Sequence, residues 1–165
     1  MAFHKTVAVR IGELLAAATI SAALLSGAAA AEGTPVGEQL PTRLRELLQE
    51  EMRALLVASH EIQDALIAGD SATVADRAQA MHDSFILEQS LSEGDVEVLH
   101  SVFPHDFQEL DRELHGLAAT LAEQARAGHD PALAQTFGRM IENCVACHSR
   151  YAANAFPMFK ENPAR

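Results

Sequence analysis

Between residues 41 and 153, apolar side chains return every three or four positions, and glycine or proline breaks the pattern at only a few points. That interval lines one face of an α-helix, whereas a strand would alternate. Four helices are predicted. Pro41 to Ala68 carries Leu44, Leu48, Leu55, Ile62 and Leu66, and Gly69 stops it. Asp70 or Ser71 caps a second helix reaching about Gln89, with Val74, Ala78, Met81 and Phe85 on one side. Pro104 opens a third at its first position, and Phe107, Leu110, Leu114, Leu117 and Leu121 form the clearest stripe before Gly128. Asp130 and Pro131 begin a fourth, which runs through Leu133, Phe137, Met140 and Ile141 to about Ala153. Ser90 to Phe103 reads as a connector with a short helix over Asp95 to His100. The first two helices are closely linked, as are the last two, so each pair is expected to be antiparallel. The fold class is therefore all-α, an antiparallel four-helix bundle over residues 41–165. No Gly-rich phosphate loop and no internal repeat is visible.

The start of the chain reads differently. His4, Lys5 and Arg10 precede a small and apolar run from Ile11 to Ala31, and Ala29-Ala30-Ala31 offers a small-x-small cleavage pattern. Residues 1–31 are read as a cleaved export signal, with an uncleaved membrane anchor as the rival. Glu32 to Leu40 is a lead-in containing glycine and proline. No second apolar run approaches the eighteen or so residues a spanning helix needs. The expected mature protein is periplasmic, with no membrane segment after cleavage.

The fourth helix carries Cys144-Val145-Ala146-Cys147-His148. C-x-x-C-H is the attachment pattern of c-type haem. Two thiols a few residues apart add across the two vinyl groups. The adjacent histidine falls beneath the iron as its proximal ligand. On a helix these residues stand at i, i+3 and i+4, which is one face. One covalent haem c is expected. A disulfide or haem-free thiol switch is the plainer alternative. Zinc fits less well, because a structural site takes four ligands and the chain has only two cysteines. An oxidising, exported setting suits both haem attachment and a disulfide.

The net charge is −11, and loss of the leader removes more basic than acidic residues. That argues against nucleic acid or anionic lipid as partner. An acidic surface could steer a basic redox partner or simply keep the protein in solution. Glu109-Leu110-Asp111-Arg112-Glu113 reads as a solvated helix face. Nothing places paired carboxylates in a pocket, so an enzyme is not expected.

A helical bundle with C-x-x-C-H on its last helix resembles the class II c-type cytochromes, the cytochrome c′ family with its low-spin relatives. The resemblance covers about Pro41 to Ala153. Its specific part is Cys144, Cys147, His148 and Tyr151, a C-x-x-C-H-x-x-Tyr pattern. The family usually has Arg or Lys directly after the aromatic residue. This chain has Ala152 there and Arg150 before the tyrosine, two positions away and on another face. Any role of that basic residue does not carry over to Arg150. Tyr151 either packs at the haem edge or closes the bundle end.

The resemblance implies two chemistries at the sixth iron position. Five-coordinate members bind NO or CO behind an apolar wall. Low-spin members place a first-helix methionine on the iron and carry electrons. Met140 shares a helix with His148 and is held on the proximal side. Met158 follows the motif too closely, and Met1 leaves with the signal. Met52 and Met81 remain, and Met52 lies on the first helix between Leu48 and Leu55. It is the possible sixth iron ligand; otherwise it fills the core. Among the histidines, His82 and His105 stand beside apolar residues and are further candidates, while His60, His100, His115 and His129 read as surface residues. The expected function is electron transfer through haem iron with an unidentified redox protein. Gas binding is the alternative and a thiol-switch module the remote one. Relatives often dimerise through the first two helices, which makes a homodimer the expected assembly. Leu47 and Leu56, off the main stripe, are candidate contacts.

Overall fold

The computed structural model describes residues 35–84, 91–128 and 130–156. The export-signal reading over residues 1–31, the expected helical continuation from Phe85 to Gln89, His129 and Met158 all lie outside the described residues. Six helices and no strand occur among those described: α1 Val36–Gln39, α2 Thr42–Ala68, α3 Ser71–His82, α4 Glu93–Val102, α5 His105–Ala127 and α6 Asp130–Tyr151. No described helix is long and apolar enough to cross a membrane.

The four long elements α2, α3, α5 and α6 form the antiparallel bundle. Gly69 ends α2 in the left-handed conformation (φ 71°), which costs glycine little. The Asp70 N–H then donates back to the Ala65 carbonyl at 2.8 Å, and the Asp70 carboxylate accepts the Thr73 N–H at 3.1 Å. Two residues thus stop one helix and cap the next, which reverses the chain. Gly128 (φ 74°) ends α5 in the same way. Tight packing runs from α2 to α3, α3 to α5 and α5 to α6. α2 and α6 have no comparable contact among the described residues.

The main core holds Leu55, Ala58, Ile62, Val74, Ala78, Met81, Leu117, Leu121, Leu133 and Met140. Ile62 and Leu121 are fully buried. Each such side chain contributes about 1.5–3 kcal/mol through the water it sheds.

Several element boundaries depart from the expected ones. Pro41 and Pro104 stand just before their helices, and their carbonyls accept from the N–H of Arg45 and Gln108. They are half-in caps rather than first helical residues. α3 stops at His82 because Ser84 takes a left-handed φ of 58°. α4 is longer than Asp95 to His100, because Ser92 and Asp95 form a reciprocal capping box. α6 ends at Tyr151, two residues earlier than expected. The described part of the lead-in packs onto the bundle: Val36 and Leu40 are buried, and Glu38 accepts a hydrogen bond from Asn154 beyond α6. Arg43 on α2 pairs with Asp95 on α4. Leu99 of α4 packs with Leu40 and Leu44.

Candidate functional site

Cys144, Cys147 and His148 occupy the second half of α6, spaced so that one helix face carries all three. Both thiols are free and half-buried. Burial pushes the Cys144 thiol up. Cys147 is pushed up to about 11 by burial first, then by the negative field of Asp111 on α5 and by Cys144, with Arg150 opposing. Burial lowers the pKa of His148, which favours the neutral imidazole a metal requires. The His148 ring stacks on Phe156, with centroids 4.6 Å apart and planes 13° from parallel.

Tyr151 is buried in a cluster with Val36 of α1 and Phe107 of α5, and Cys147 packs against the same cluster. Phe107 meets Tyr151 edge-on at 5.3 Å and Phe103 at 4.2 Å. Tyr151 therefore closes the bundle end, and that end abuts Cys147. Arg150 reaches Asp106 of α5 at 3.5 Å, with its guanidinium 5.9 Å from the centre of the Tyr151 ring.

Cross-helix hydrogen bonds fix what else lies at this height. The Ser84 hydroxyl donates to Glu51 Oε1 at 3.1 Å, joining the end of α3 to α2. Asn143 Nδ2 donates to Glu113 Oε2 at 3.3 Å, joining α6 to α5. Between them, His82 Nδ1 meets the His115 carbonyl at 3.1 Å, and His115 Nδ1 meets the His82 carbonyl at 2.9 Å. A carbonyl only accepts, so both rings carry their proton on Nδ1. His82 is two residues from Ser84, and His115 two from Glu113. The contacts run from α2 through α3 and α5 to α6 at one level. Met52 follows Glu51 and Cys144 follows Asn143, so the thioether and the first thiol belong to that level.

The apolar core changes character there. The main core extends toward this level as far as Leu55, Met81, Leu117 and Met140, and the end cluster begins beyond it with Leu110, Cys147 and Tyr151. The buried side chains between them are polar: Glu51, Ser84 and Asn143. The residues present fit a covalently held haem. Two unpaired thiols and an imidazole held toward its neutral form share one face of α6, where the core is interrupted and α2 and α6 are not closed on each other.

The remaining candidates separate clearly. Met140 and Met81 are buried in the main core, at 1% and 2% exposure. Met52 is half-buried at the edge of that core. His82 is exposed and ties α3 to α5. His105 is exposed, 3.7 Å from Glu109; with Asp106 they bring ligand atoms within 4.8 Å of one another on the surface. Asp111, Arg112 and Glu113 are exposed. Leu56 is exposed, whereas Leu47 is not free as expected: it packs against Leu40, Leu44 and Leu99, because α4 covers that side of α2.

Glu51, Ser84, Asn143 and Phe156 belong to no motif. Only Glu51 leaves a trace in the sequence, as a charge in the stripe of Leu44, Leu55, Ala58 and Ile62.

No curated protein and no solved structure matches the chain. The family described as Cytochrome C' matches residues 45–152, a span holding the whole of α3, α4, α5 and α6, nearly all of α2, and the whole C-x-x-C-H-x-x-Tyr pattern. With its antiparallel helices and its thiol–imidazole face on α6, the chain belongs to the cytochrome c′ family, whose members are haem-binding c-type cytochromes.

Proposed function

We propose that the protein is an exported, periplasmic monohaem cytochrome that carries electrons. Cys144 and Cys147 hold the haem by thioethers, His148 is the proximal ligand and Met52 the sixth. The observation that carries this reading is the shared level of Met52 and Cys144, set by the Glu51–Ser84, His82–His115 and Asn143–Glu113 contacts. When bound, haem supplies a one-electron couple, and a thioether on the iron raises its potential. The chain does the rest. Val36, Phe107 and Tyr151 exclude water beside Cys147, Phe156 orients His148, and Met52 of α2 would supply the thioether. The acidic surface suits a basic protein partner.

A second reading rests on Met52's contacts with the main core. A methionine that only packs leaves the sixth position to NO or CO, and the protein is then a gas binder. Neither reading needs Cys144 and Cys147 as a thiol switch.

Two measurements test the proposal. Protein made with a haem-attachment system gains the mass of one haem, retained through acid-acetone extraction; an unmodified mass overturns the assignment of Cys144 and Cys147. The ferric protein shows the weak near-infrared band of methionine–iron charge transfer, and Met52→Ala turns it high spin and opens it to CO. A wild type that is already high spin and unchanged by Met52→Ala selects the gas-binding reading.

A further inference from the structure

Glu51 occupies a position where an apolar residue is expected, and it is 3% exposed. Along α2 it falls in line with Leu44, Leu55, Ala58, Ile62 and Ala65, the face turned to the bundle centre. A carboxylate this deep persists only where hydrogen bonds meet it. One comes from Ser84, which has its own anomaly: its φ of 58° is one that side chains other than glycine rarely adopt. Such a conformation survives where the surroundings over-determine it, and it is common at working sites. Two unusual residues, one on α2 and one just past the end of α3, meet at the level of Cys144.

We infer that the Glu51–Ser84 contact is a positioning device, which sets the rotation of α2 and so aims Met52 at the iron; this rests on Met52 being the sixth ligand. Successive residues on a helix are turned by about 100°. With Glu51 aimed inward, Met52 lies on the flank of the buried stripe that it shares with Ser59 and Leu66, each seven residues on. The other flank is marked by Glu61, which reaches Arg77 of α3 at 3.3 Å. Met52 thus lies on the side of α2 away from α3. Turning α2 by about 20° displaces a Cα by roughly 0.8 Å. Ligand geometry tolerates about 0.5 Å. Apolar contacts are non-directional and allow such a turn; a hydrogen bond is directional and resists it. A leucine at position 51 would fill the stripe without fixing the angle.

The test uses the haem-loaded protein and three variants. Glu51→Gln keeps an oxygen that accepts from Ser84. Glu51→Leu keeps the burial and removes the acceptor. Ser84→Gly keeps the left-handed backbone and removes the hydroxyl. Glu51→Gln is expected to retain the methionine–iron band. Glu51→Leu and Ser84→Gly are expected to lose at least half of it, with a matching rise in high-spin ferric signal. If both keep the wild-type band and spin state, the contact is scaffolding and the inference is overturned, whatever the melting temperature does. If Glu51→Leu does not fold, Ser84→Gly carries the test, since glycine favours that φ. A wild type without the band overturns the Met52 reading and this inference together, and it is recognised before any variant is made.

Discussion

Cys147 is the residue whose surroundings have the most measurable consequence. Burial, Asp111 and Cys144 all disfavour its thiolate, and they lift its pKa from the ordinary 9.0 to about 11. Two units lower the thiolate fraction near neutral pH by roughly a hundredfold. In the haem-free protein, Cys147 is therefore expected to alkylate far more slowly at pH 8 than an exposed cysteine. Asp111→Asn removes one of the three causes and speeds it several-fold, which iodoacetamide labelling with peptide mass analysis measures. Labelling at the unfolded rate in the wild type would mean that the α1–α5 cover does not form in the haem-free protein. The same shift has a stability consequence. Folding favours the protonated thiol, so its contribution is complete below pH 9 and is lost as pH rises through 11. The haem-free protein should show a level melting temperature up to about pH 9 and a fall between there and pH 11. The fall should be smaller in Asp111→Asn.

The helices themselves were legible because each carries its own start and stop. Gly69-Asp70 does both within two residues. Asp70→Ala removes the acceptor for the Thr73 N–H and Oγ1–H. It should cost about 1 kcal/mol in urea unfolding with an unchanged slope. An unchanged midpoint would mean that the cap is replaced by water. Gly128→Ala meets nothing within 4 Å of the added methyl, so its cost, about 1 kcal/mol, comes from the positive φ alone. Where the expectation erred, a local bond had competed with periodicity. Ser92–Asp95 lengthened α4, and Ser84 cut α3 although Phe85 kept the apolar spacing. The C-x-x-C-H face of α6 could be placed from sequence because a single helix turn builds it. The Glu51–Ser84 contact could not, since its partners are 33 residues apart and one of them shows no pattern at all.

At the scale of the whole molecule, the open question is what covers the outer face of α2. Leu56 and Val57 are more than half exposed, and Ile67 is 79% exposed. Leu47, which α4 covers, drops out as a contact. Beside Val57 a shallow groove is floored by Ala54 and Ala58 and edged by Glu50, Arg53, Glu61 and Arg77. Both signs of charge border one apolar strip, which suits a self-complementary contact across a two-fold axis. We propose a homodimer through this face. Leu56→Asp should shift sedimentation toward the monomer while changing unfolding free energy by no more than about 0.5 kcal/mol, because the side chain contributes little to the core. Salt gives an independent check with a definite sign. The full chain carries a net charge of −11 and the chain without its leader is no less acidic, so association works against like-charge repulsion. Raising ionic strength from about 0.01 M to 0.15 M shortens the screening length from roughly 30 Å to 8 Å. The dimer should therefore tighten with added salt. A dimer that loosens instead would be held by the Glu50, Arg53, Glu61 and Arg77 edge rather than by Leu56 and Val57, and a monomer at every concentration and salt would remove the proposal.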